Sequence, residues 1–225
     1  MDYELRAELM RRAEADGAAV KAFLAAAESY RDLPILRSGA RPVSPWPYTL
    51  LEWSPVETAP GPVRRVVEVV RGNVAWLREV VEGRGWPGRS VVGVEGVDAA
   101  WLILQHAGSG VPTLGTAENL AFQAAVVPLL REAVGFGEAH PRHLAHVVDS
   151  LCERRDERPQ YAVLMSAYSV RDGRAVFPAG FDHVGIERRR AGVGLISLAE
   201  EARRRAEGER FLPAAGHAPE PWPET

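Results

Sequence analysis

Apolar residues recur at helical spacing along most of this chain, and the long stretch that breaks the pattern is crowded with proline. Seven prolines fall between residues 34 and 62, at 34, 42, 45, 47, 55, 60 and 62. Proline lacks the backbone N–H and fixes φ, so this density forbids a regular helix and disfavours a central strand. The same stretch carries Ile35, Leu36, Trp46, Tyr48, Leu50, Leu51 and Trp53, too apolar for a free linker. Residues 31–63 are therefore expected to form an ordered, irregular arm, serving as a lid, an oligomer contact or static packing.

On either side of the arm the helical period holds. Leu5, Leu9, Ala13, Ala19, Val20, Phe23 and Leu24 mark a helix over 2–29. Valines 66, 67, 69, 70, 74, 80 and 81 with Leu77 mark another over 63–84. A nearly all-apolar segment, 96–107, reads as a buried helix, and Gly85-Trp86-Pro87-Gly88 before it as a turn. Thr116 is placed to N-cap a helix over 117–135, and Pro141 suits the first turn of one reaching about Glu153. Tyr161–Val170 and Ala175–Pro178 flank Asp172-Gly173, a hairpin signal. Ser197 then N-caps a last helix over 197–208. The expected fold is mainly α: five or six helices around one core, with a small antiparallel β-hairpin near residues 161–178. A single domain over 1–210 would carry a proline-bearing tail over 211–225.

Composition narrows the function classes. The net charge is −3, so no basic face is forced and nucleic acid is not an expected partner. The lone cysteine, Cys152, rules out an intrachain disulfide and fits a reducing compartment. A charged N-terminal segment and the lack of any apolar run of about 18–20 residues point to a cytoplasmic protein with no membrane partner. A single lysine, Lys21, among 27 basic residues suggests GC-rich coding DNA and a bacterial source. No phosphate-binding loop, dinucleotide fingerprint or nucleophile elbow is present, which weighs against nucleotide-driven chemistry.

Several stretches resemble the uncharacterised bacterial domain-of-unknown-function family 6624. They are Leu5-Arg-Ala-Glu-Leu with Asp16; Asn73 with Trp76-Leu77; and Gly85-Trp86-Pro87. They continue with Gln105-His106-Ala107, Gln123, Asp149, Gln160-Tyr161 and Arg190-Ala-Gly-Val-Gly-Leu195. The order and rough spacing hold from about residue 3 to 200, with the proline-rich arm as an insertion. The resemblance implies no activity, but it singles out polar positions, Asn73 and Arg190 among them. The chain departs from the family at four of these spots. Gly17 follows Asp16, with Val20 where arginine is usual. Gly108 follows Gln-His-Ala where aspartate is usual, Ser150 follows Asp149, and Ala162–Met165 replace a polar run after Tyr161.

Within that set, His106 closes an apolar helix, whose C-terminus favours the imidazolium. A histidine there suits general acid–base work, set against a purely capping role. Asp149 is the candidate to orient it, with surface pairing to Arg154 or Arg155 as the plainer reading. Gln105, Gln160 and Tyr161, with Asn73 and Arg190, are the candidate substrate-binding residues. His140, His143, His146 and Asp149 recur every third residue. His143 and His146, with His106, form a weak alternative metal site, against a polar surface face. Arg188-Arg189-Arg190 reads as a solvated stretch or, more sharply, as a carboxylate or phosphate clamp.

These residues lead to two expectations. One is a cytoplasmic enzyme acting on a small polar metabolite by acid–base chemistry: hydrolysis, elimination or cyclisation, in a specialised bacterial biosynthetic pathway. It would need no cofactor, a divalent metal being the minor alternative. The other is a non-catalytic binding or protein-interaction module, with the arm mediating a homodimer.

Overall fold

A computed structural model describes residues 1–27, 61–108, 116–164, 167–171 and 174–207 of the chain. Residues 28–60, which hold the proline-rich arm except its last three positions and include Trp46 and Trp53, and the tail beyond 207 lie outside the described residues. Positions 61–63, expected to be irregular, open α2, because a proline is tolerated in the first turn of a helix. The fold is mainly helical, as the apolar spacing predicts. Among the described residues there are seven helices: α1 (Tyr3–Ala27), α2 (Gly61–Arg84), α3 (Arg89–Ala107), α4 (Ala117–Gly135), α5 (Pro141–Arg154), α6 (His183–Gly192) and α7 (Leu198–Ala206). Two short strands, β1 (Ser169–Arg171) and β2 (Arg174–Val176), separate α5 from α6. The chain divides into two compact units, Met1–Gln123 and Ala124–Thr225.

In the first unit α1, α2 and α3 pack on one another. The buried stripe of α1 is Leu5, Leu9, Asp16, Ala19 and Phe23, steps of three, four and seven that keep to one face. On α2 the stripe is Val63, Val66, Val67, Val70, Asn73, Val74, Leu77 and Val81. Trp101, Ile103 and Leu104 of α3 complete the apolar core. Gly85, with φ of 75°, ends α2 in the left-handed region that glycine enters without a Cβ penalty.

Helix α3 begins earlier than residue 96. Its axis kinks at Gly93 (φ 73°, ψ 173°), a backbone setting essentially closed to other residues. The kink hides the early turn from a reading based on unbroken periodicity.

The second unit is organised by caps. The His140 ring accepts from the Arg142 amide at 3.1 Å just before Pro141 opens α5, so this histidine stands outside the helix. Asp182 Oδ1 accepts from the Gly185 amide, and Ser197 Oγ from the Glu200 amide, opening α6 and α7. The hairpin pairs Ser169 with Val176 and Arg171 with Arg174, antiparallel. It is shorter than Tyr161–Pro178: residues 161–164 are not in a strand, because the amides of Tyr161 and Val163 are turned to a side chain described below. The turn residues Asp172 and Gly173 lie outside the described residues. Helix α7 packs on this hairpin, and Ala162, Tyr168, Ile186, Leu198 and Ala202 form the local core. Helix α6 is the element the sequence reading lacked.

No helix among the described residues is long and apolar enough to cross a membrane.

Candidate functional site

The candidate polar residues fall into two groups, one in each unit. In the first unit the core carries three polar side chains that apolar packing alone does not call for. Asp16 on α1 is fully buried, Asn73 on α2 is 4% exposed, and His106 near the end of α3 is 6% exposed. His106 Nδ1 lies 2.9 Å from Asp16 Oδ1. The contact has the length of an ion pair without the alignment of a hydrogen bond, a geometry common at catalytic pairs before ligand binds. Asn73 Nδ2 donates to Asp16 Oδ2 at 3.4 Å and to the Arg12 carbonyl at 3.2 Å. Its Oδ1 accepts from the Arg12 guanidinium at 3.3 Å. Arg12 in turn bonds Glu8 and lies 4.4 Å from the Trp76 ring centroid, a cation–π distance.

A buried carboxylate with so little neutral support is stable chiefly beside a positive partner. Here the His106 imidazole and the Asn73 amide are the groups that face it. Asp16 is thus the carboxylate beside His106 within the first unit. The signal was legible: Asp16 sits on the apolar stripe of α1, where a carboxylate is out of keeping.

Gln123, on the α4 turn nearest this core, is 1% exposed. Its Nε2 donates to the Leu104 carbonyl at 2.7 Å and to the Gln105 carbonyl at 3.4 Å, on the last turn of α3. Its Oε1 is buried and, among the described residues, accepts no hydrogen bond. Leaving a buried acceptor unmet costs about 1–3 kcal/mol. Gln105 contributes through its backbone; its side chain is half-buried.

In the second unit Asp149 is 1% exposed and organises the chain after α5. Its Oδ1 accepts from the amides of Gln160 (2.8 Å) and Tyr161 (2.9 Å), its Oδ2 from Val163 (2.9 Å). The expected surface pairing with Arg154 or Arg155 does not describe this buried carboxylate. The carboxylate is used up closing a loop whose amides converge, helped by Ala162 at φ 54°. Burial pushes its pKa up, against the three amides and Arg190, which lower it. Gln160 is exposed, and its Nε2 lies 3.8 Å from Cys152 Sγ. Burial, with the Asp149 charge next, pushes the Cys152 thiol up, away from nucleophilic use.

Arg190 is fully buried. It donates to the carbonyls of Ile196 (2.8 Å) and Tyr161 (2.7 Å) and to Glu201 Oε2 (2.5 Å). The arginine run is thus neither wholly solvated nor aimed outward: Arg188 is exposed, while Arg190 clamps an internal carboxylate. Glu201 also takes Arg142 at 2.8 Å, the Tyr168 hydroxyl at 3.2 Å and Arg205. Desolvation pushes the Glu201 carboxyl up, but Arg142, Arg205 and Arg190 outweigh it and hold it at about 2. Neither Arg142 nor Glu201 was singled out from sequence; a charged residue inside a helix of mixed charge carries no mark of burial.

His143 and His146 are buried on α5, not on a polar surface face. His143 stacks obliquely against His140, ring centroids 5.6 Å apart, and His146 Nδ1 lies 3.4 Å from Ser150 Oγ. Among the described residues no three His, Cys, Asp or Glu side chains are grouped to hold a metal ion.

A family model matches residues 62–209, more than half of the chain. The chain belongs to DUF6624, a family of unknown function. No curated protein and no solved structure matches it. The matched span takes in Asn73, His106 and Gln123 as well as the Asp149 and Glu201 clusters. It leaves out α1, and with it Asp16.

Proposed function

We propose that this DUF6624 member is an enzyme that moves a proton on a small polar molecule, with His106 as the proton-transfer group. The observation that carries this reading is the 2.9 Å contact between His106 Nδ1 and Asp16 Oδ1 inside the first unit. A buried carboxylate at Nδ1 orients the ring and stabilises the imidazolium, so Nε2 is the nitrogen that exchanges the proton. As general base, Nε2 takes a proton from a substrate O–H, N–H or C–H. The imidazolium then returns it to the leaving group or the product. Asp16 acts through His106 and is a positioning residue. Asn73 steadies Asp16 from α2. Hydrolysis, elimination and cyclisation all use this step.

The test is turnover of a polar bacterial metabolite extract, followed by mass spectrometry. Wild-type protein should consume one ion and form another. His106→Gln should slow that conversion by about 10²–10⁴-fold, the usual share of general acid–base catalysis. Asp16→Asn should slow it less, and should also change the imidazole ¹⁵N tautomer signature, which a merely structural residue would leave alone. Full turnover by folded His106→Gln would overturn the reading. Saturable binding of an extract component without turnover would make the unit a binding module instead.

A further inference from the structure

We propose that Gln123 is a ligand-binding residue of the His106 site, accepting a hydrogen bond from an N–H or O–H of the bound molecule. This rests on the reading of His106 as the proton-transfer group and adds a substrate class: small molecules that present a hydrogen-bond donor. The amide orientation is settled by its surroundings. Nε2 faces the carbonyl oxygens of Leu104 and Gln105, and a flipped amide would set oxygen against oxygen. Oε1 is therefore an acceptor by position, and it is buried without a donor among the described residues.

Space is reserved for it. A Cβ added at Gly108 would overlap Gln123 Oε1 and crowd the rest of its amide. Gly108 sits at φ −97°, a conformation open to any residue, so its backbone gives no reason for glycine. The side chain of Gln123 does. Both anchoring carbonyls belong to the turn that carries His106, so the acceptor and the imidazole are held by one rigid element. An unmet acceptor anchored to the turn that carries a proton-transfer group selects ligands that bring the missing donor, because such a site loses most when the donor is absent.

The test uses acetamide, a small N–H donor, against N,N-dimethylacetamide, which keeps the carbonyl and lacks the donor. Each is titrated into the full-length protein and followed by the NMR signals of the Gln123 side-chain amide and the His106 ring. Acetamide should shift both sets saturably, and dimethylacetamide should bind at least about tenfold more weakly. Gln123→Lys keeps donors for the two carbonyls and removes the acceptor. It should abolish the acetamide response while the His106 tautomer signature stays unchanged. Equal response to both probes, or none to acetamide, overturns the proposal, and the wild-type comparison decides this even if the variant fails to fold. Loss of turnover in His106→Gln alongside a silent acetamide titration would sink Gln123 alone and leave the proton-transfer reading standing.

Discussion

At the scale of single residues, burial of a charge is what separates scaffold from candidate chemistry. Asp149 and Asp16 are both buried aspartates, yet their surroundings differ. Three backbone amides meet Asp149, and each is itself buried or partly buried. Removing the carboxylate strands those amides, so Asp149→Ala should destabilise the protein by about 3 kcal/mol or more. Asp149→Asn retains one oxygen and should lose less. Urea denaturation of the two variants checks the order; a neutral Asp149→Ala would mean the loop is held by something else. Asp16 has no such set of amides. It faces a histidine and an asparagine from two other helices, an arrangement that contributes little to loop closure and much to fixing an imidazole.

At the scale of elements, the termini were well marked and the interiors less so. Thr116 does cap α4, its Oγ1 accepting from the Asn119 amide, and the predicted span of 117–135 is the observed one. Helix α6 escaped notice because Ile186 is its one large buried apolar residue, while Val184 is 81% exposed. Tertiary contacts, not periodicity, hold it: Arg190 is its anchor. Glu201 on α7 ties that anchor to Arg142 on α5. Its carboxyl ordinarily titrates near 4.5 and is held at about 2 here. A depressed acid contributes stability that is present above its unfolded value and lost as pH falls toward the folded one. The second unit should therefore weaken between about pH 4.5 and 2. Asp149, whose pKa is raised, has the opposite sign and offsets part of this loss. Glu201→Gln leaves the buried guanidiniums facing a neutral amide, and should cost about 3–5 kcal/mol at neutral pH. Acid denaturation followed by circular dichroism checks both. A variant as stable as wild type at pH 7 would show that the cluster is dispensable.

At the scale of the whole molecule, the family match and the compact units do not coincide. The match begins at residue 62, whereas α1 supplies Leu9 and Phe23 to the core and Asp16 to His106. Deleting residues 1–27 should strip protection from the amides of α2 and α3 in hydrogen exchange, and unchanged protection would show that α1 is an accessory. Local sequence determined the mainly helical class, most helix spans, the caps at Thr116 and Ser197, the first-turn Pro141, and the turn at Gly85. These depend on the spacing of neighbours and on backbone preferences that a short segment carries by itself. The family resemblance also marked His106, Asn73 and Asp149 as polar positions to inspect. Only tertiary structure decided their partners. It gave His106 the carboxylate of Asp16, ninety residues earlier in the chain, and gave Asp149 to the amides of its own following loop. Charge pairing depends on which side chains meet after folding, and a buried carboxylate is committed to whichever donors packing brings within reach.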